Sequence, residues 1–125
     1  FRDHVQGLSR SGLPVIVCGD LNVAHRPIDI ARPKANYNKS AGYTQQEIDG
    51  MDALLGAGFV DSCRHLHPEE VMYSWWCFRA GARSKNIGWR IDFVLVSKAF
   101  APRLNEAFIL NEVLGSDHCP VGIVW

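Results

Sequence analysis

No stretch of this sequence offers the roughly 18 consecutive apolar residues that a membrane-spanning helix needs, so a soluble chain with no membrane partner is expected. Its four cysteines, Cys18, Cys63, Cys77 and Cys119, include no C-x-x-C pair and no histidines at zinc-finger distance, which excludes a zinc ribbon. No secretory leader precedes them, and Cys18 and Cys119 sit in apolar runs where a small buried thiol is the commoner role. A reducing, intracellular compartment is the expectation. Net charge is lacking too: 13 basic and 13 acidic side chains cancel, which removes any global attraction to a polyanion. Internal repeats, low-complexity tracts and an initiator methionine are all absent.

What is present is the composition of an ordinary folded domain: 47% hydrophobic and 21% charged residues with four Trp, in 125 residues, enough for one core. The cancelling charges are unevenly spread. Arg26, Arg32, Lys34 and Lys39 outnumber Asp29, and Arg79, Arg83, Lys85 and Arg90 meet no acid before Asp92. The acids collect at Glu47, Asp49, Asp52, Asp61, Glu69 and Glu70. The basic stretches read either as solvated loops or as surface for a polyanion.

The chain opens in an amphipathic pattern, with Phe1, Val5 and Leu8 on one helical face, which suggests a polypeptide that begins earlier. Ser11-Gly12 ends that helix, and the apolar run Pro14 to Cys18 predicts a strand buried on both faces. Residues 24–43 read as a long loop. Thr44-Gln45-Gln46-Glu47 matches a capping box, and Ile48, Met51, Leu54 and Leu55 give the buried stripe of a helix stopped by Gly56 and Gly58. Further strands are expected at Phe59-Val60, 73–78, 90–97, 107–110 and 121–125, with surface turns at 64–68, a loop at 79–88 and a helical turn near Pro102. In the 90–97 strand, Ile91, Phe93 and Leu95 share one face, and Asp92 shares the other with Val94 and Val96. An acid there needs a reason. Helices interleaved with apolar strands make the fold α/β or α+β.

Three segments put polar groups where strands prefer apolar ones: Gly19-Asp20-Leu21-Asn22, Trp89-Arg90-Ile91-Asp92 and Gly115-Ser116-Asp117-His118. Each lies at or near a strand end, and residues beyond the carboxyl ends of strands converge on the ligand crevice of α/β proteins. Asp20, Asn22, Asp92, Asp117 and His118 could therefore assemble one site. Such a set suits a hard divalent ion such as Mg²⁺ or Mn²⁺, leaving the imidazole for proton transfer or contact with a phosphoryl oxygen. His65 and His67 lack a third ligand and are expected at the surface.

The segments GDLNVAH at 19–25, NIGWRIDFVLVS at 86–97 and GSDHCPV at 115–121 resemble the C-terminal motifs of the exonuclease III / AP endonuclease family, in the family's order. AGYT, GFVDSCRHLHP, YSWW and ARSKN between them are similar too, so the resemblance covers nearly the whole chain. It implies the C-terminal half of a four-layer α/β sandwich, two packed mixed β-sheets flanked by helices. Residues 1–125 would form the C-terminal part of an endonuclease/exonuclease/phosphatase domain about twice this length. The implied activity is Mg²⁺- or Mn²⁺-dependent hydrolysis of DNA 5′ to abasic sites, or from 3′ ends, by a monomer located in the cytoplasm of a bacterium or the nucleus of a eukaryote. A phosphoesterase acting on another phosphodiester, or a non-catalytic DNA-binding fragment, are the competing readings.

By position, Asp20 would match the acid that deprotonates the attacking water, and Asn22 the amide that steadies the phosphoryl oxygen. Asp117 would match a metal-associated carboxylate, His118 the phosphate-binding imidazole and Asp92 the acid that orients it. Asp20, Asn22, Asp117 and His118 are the implied metal neighbours, and either Asp20 or the Asp92–His118 pair could be the base. Trp75, Trp89 and Ile91 would line an apolar pocket for a base-less sugar. Arg79 and Arg83 would contact phosphates beside a minor groove, with no bulky apolar wedge in the Arg79-Ala80-Gly81 loop.

Overall fold

A computed structural model describes residues 1–125. Helices and strands alternate as expected, and every strand pair within the chain is antiparallel. Helix α1 (Arg2–Arg10) leads to β1 (Ile16–Asp20), and α2 (Pro33–Asn36) and α3 (Gln45–Gly56) precede β2 (Phe59–Asp61) and α4 (Ser62–Leu66). β3 (Trp75–Trp76) pairs with β4 (Gly88–Trp89). β5 (Asp92–Ser97) is the centre of a three-stranded sheet ordered β1-β5-β2, and β6 (Glu106–Ile109) pairs with β7 (Val121–Val124).

The alternation in β5 holds on both faces. Phe93 and Leu95 pack with Val5 of α1, Met51 and Leu54 of α3, and Phe59. On the other face Val96 packs with Phe100, Ala101 and Leu104, against Ile123 of β7. The capping box starts α3 as predicted: the Thr44 hydroxyl accepts the Glu47 N–H at 3.3 Å. The Glu47 carboxylate in turn accepts the N–H of Gly42 at 2.9 Å, tying the preceding loop to the helix.

Several expectations fail for identifiable reasons. Of the stripe predicted on α1 only Val5 is buried, because nothing in the chain covers Phe1 or Leu8. The run before Gly19 reads as doubly buried; within this chain, expected to be about half of a longer domain, β1 has a strand neighbour on one side only, with Val15 and Val17 packed inward and Ile16 and Cys18 exposed. Residues 24–43 are not plain loop, since a 3-10 turn at Pro27–Asp29, α2 and a bridge from Ile30 to Trp89 organise them. Residues 64–68 are a helix end rather than a turn, with His65 exposed as expected and His67 partly so. α4 buries Arg64, and His67 sends its ring to the Ala107 carbonyl at 2.9 Å.

Arg90, counted above among loop cations, is fully buried. Its Nε donates to Asp29 at 2.8 Å, and its two terminal nitrogens donate to Asp61 at 3.0 and 2.6 Å. Arg64 also donates to Asp29, and to the carbonyls of His67 and Glu70 at 2.9 and 2.8 Å. Burial alone would raise the Asp29 pKa, but the Arg90 and Arg64 guanidiniums outweigh it and hold the carboxyl below its ordinary value. Two cations matched to two anions satisfy the rule that buried charges are paired. The cluster clamps the 27–29 turn and α4 to the residue between Trp89 and Ile91.

Candidate active site

Asp20 ends β1 and Asp92 begins β5, and the antiparallel register sets them directly opposite each other. The convergence expected at the carboxyl ends of strands thus arises differently: the carboxyl end of one strand meets the amino end of its neighbour. His118 comes from the turn before β7. That turn is held by a bridge between Trp75 and His118 and by the Trp76 N–H donating to the Asp117 carbonyl at 3.0 Å.

His118 Nδ1 lies 2.9 Å from Asp92 Oδ2, and Nε2 lies 3.9 Å from Asp20 Oδ2. An ionised carboxylate only accepts, so Nδ1 carries the proton and Nε2 faces the site. Partial burial opposes the charged imidazole. The hydrogen bond and charge of Asp92, reinforced by Asp20 and Asp117, outweigh that and raise its pKa above the ordinary histidine value. This is the reason for an acid on a valine face of β5.

One ligand atom each from Asp20, Asp92 and His118 lies within 4.8 Å of the others, a spacing at which the three could hold a metal ion. Carboxylate oxygens are the donors hard divalent cations prefer, with water completing the shell, so Asp20 and Asp92 fit such an ion and His118 borders it. Of the residues expected near metal, Asp20 and His118 join this group and Asp92 joins them. Asn22 sits at the rim, its N–H donating to Asp20 Oδ1 at 2.8 Å. The Asp117 carboxylate lies outside the group. It accepts the Trp75 indole N–H at 3.0 Å, a bond that lowers its pKa.

Beside the group lies a cavity of about 250 Å³ that Trp75, Trp89 and Ile91 line together with Asp20, Asn22 and His118. The two indoles meet edge to face with centroids 6.0 Å apart, which stiffens the wall. Ser40, Ala41 and Gly42 complete it, and no single-residue signal marked them. Gly42 has φ +94°, and a β-carbon there would sit 3.0 Å from the Trp89 ring and 3.2 Å from the Asn22 carbonyl, so only glycine fits.

The predicted phosphate contacts divide. Arg79 is exposed in a 3-10 turn. Arg83 is directed inward instead: it donates to the carbonyls of Ser116, Asn111 and Val113 at 2.9, 2.9 and 2.8 Å and stacks on Trp76. It braces the turn that carries His118. Phe78, beside the loop expected to lack an apolar wedge, is 81% exposed.

Two carboxylates and an imidazole beside an indole-lined cavity are groups of the kind that handle phosphate esters and divalent ions. The chain belongs to the endonuclease/exonuclease/phosphatase family, whose model matches residues 1–118. It is 54% identical to an exodeoxyribonuclease of Bacillus subtilis over 89% of this chain and 44% of that protein. It is 48% identical to a DNA-(apurinic or apyrimidinic site) endonuclease of Dictyostelium discoideum over 99% of this chain and 34% of that one. Its fold superposes on the 3′ phosphatase NExo from Neisseria, solved with a product DNA hairpin, with a TM-score of 0.92 at 28% identity, over 99% of this chain and 50% of that one. The chain spans less than half the length of these curated relatives and forms part of the family's fold.

Proposed function

We propose that this chain is the Asp20–Asp92–His118 portion of a Mg²⁺- or Mn²⁺-dependent DNA phosphodiesterase of base excision repair, cutting 5′ to abasic sites, from 3′ ends, or both. One observation carries the reading: the carboxylate–imidazole group opens onto the Trp75, Trp89 and Ile91 cavity. Nuclease names among the relatives support DNA as the substrate.

The chain's own residues would divide the work. Asp20 accepts the proton of the attacking water, a role that suits it because the Asp92 hydrogen bond favours the charged form of the His118 imidazole. His118 Nε2 and the Asn22 amide donate to the phosphoryl oxygens as charge builds there. A bound divalent ion would add Lewis-acid stabilisation of that charge. The indole-lined cavity admits a sugar without its base and excludes an intact nucleotide on size.

The test is a duplex carrying one tetrahydrofuran residue, incubated with the full-length protein in Mg²⁺ or in EDTA. Incision in Mg²⁺ that EDTA abolishes is expected. Binding that weakens with salt but never leads to incision would replace the nuclease reading with a non-catalytic one.

A further inference from the structure

We propose that Ser74, a residue outside the catalytic group, is the positioning residue that holds Asp92 and His118 in register, an inference that rests on the function just given. Ser74 is fully buried. The chain crosses here from β4, in one sheet, to β5, in another; the Arg90 N–H donates to the Asp29 carbonyl at 2.7 Å, which leaves the N–H groups of Ile91 and Asp92 to be met. Ser74 Oγ accepts both, each at 3.1 Å. Its own N–H donates to the Trp89 carbonyl at 2.9 Å, and its carbonyl accepts the Cys119 N–H at 2.9 Å.

Both ends of the Asp92–His118 hydrogen bond are therefore tied to one residue, through the hydroxyl at Asp92 and through the carbonyl at the neighbour of His118. The same hydroxyl sets Ile91 in the cavity wall. Removing it leaves the buried Ile91 N–H and the part-buried Asp92 N–H without this acceptor, and the crossing must shift to find water or another partner. A shift there moves a carboxylate whose distance to the imidazole decides the orientation of Nε2.

The experiment compares Ser74→Ala with Ser62→Ala in the full-length protein. Ser62 is also buried and its hydroxyl donates to the Val94 carbonyl on the same strand at 2.6 Å, but it touches no member of the site. We expect Ser74→Ala to lower kcat on the tetrahydrofuran duplex about tenfold or more, with KM changed little, and Ser62→Ala to lower only stability. Should Ser74→Ala fail to fold, Ser74→Thr and Ser74→Val, alike in shape and differing in the oxygen, replace it, and Thr alone should retain turnover. Equal kcat in that pair, or a kcat loss in Ser62→Ala matching that in Ser74→Ala, overturns the inference. Amide exchange reads the same point without activity: Ile91 and Asp92 should exchange about tenfold faster in Ser74→Ala relative to Phe93 and Leu95. Unchanged exchange sinks the inference even if the protein cleaves DNA, whereas faster exchange in a protein that never cleaves sinks only the nuclease reading.

Discussion

Replacing Arg90 by Met should lower unfolding free energy by about 3–5 kcal/mol, the cost of leaving buried charge without its partner. The loss falls chiefly on Asp61, which keeps only the Arg64 N–H at 3.3 Å once both guanidinium bonds are gone, while Asp29 retains Arg64. Urea unfolding measures it, and a loss under about 1 kcal/mol would show that the buried cluster contributes little. The pH dependence has a definite sign. The folded-state pKa of Asp29 lies below its unfolded value, so its stabilisation is fully present above roughly pH 4 and is lost as pH falls through the lowered value. The gap between the protein and the variant should narrow in that acid range, as the Asp29 contribution is lost. Activity should fall with stability, because Arg90 lies between the cavity residues Trp89 and Ile91.

His118→Asn should cost roughly 10²-fold or more in turnover, as loss of a charge-stabilising donor at a reacting oxygen generally does. Asp92→Ala should cost a similar factor, since without the carboxylate the imidazole loses its fixed tautomer and the interaction that favours its charged form. The informative measurement is the double variant. Two residues acting as one unit are non-additive, so adding Asp92→Ala to His118→Asn should change the rate little further. Fully multiplied losses would mean that Asp92 acts independently of His118, for instance on a metal ion, and near-normal turnover in His118→Asn would remove the imidazole from the mechanism.

Much of this was legible in the chain. The Thr44 capping box, the two faces of β5 and the polar interruptions at Asp20, Asp92 and His118 are local patterns, set by hydrogen-bond geometry and by the two-residue period of a strand. Trp75, Trp89 and Ile91 were legible through family resemblance alone, since aromatics in short strands otherwise read as core. Arg64 and Arg90 were not legible. A guanidinium looks equally basic on a surface and in the interior, and only its distance to Asp29 and Asp61, far off in the chain, distinguishes the two. Arg83 misled for the same reason: its donors turn to carbonyls around residues 111–116, which no spacing reveals. Ser74 lies in the family-like YSWW segment, but nothing in that pattern marks its hydrogen bonds to Ile91 and Asp92.

By itself, then, the sequence determined which residue types are present and where the backbone bends, because propensity, capping and alternation act over a few neighbours. The tertiary structure decided which of those residues meet. That Asp92 rather than Asp117 joins Asp20 and His118 follows from the antiparallel register of β1 on β5, together with the indole of Trp75 that engages Asp117. Charge interactions and hydrogen bonds depend on separation in space, and the fold alone sets that separation for residues distant in the chain.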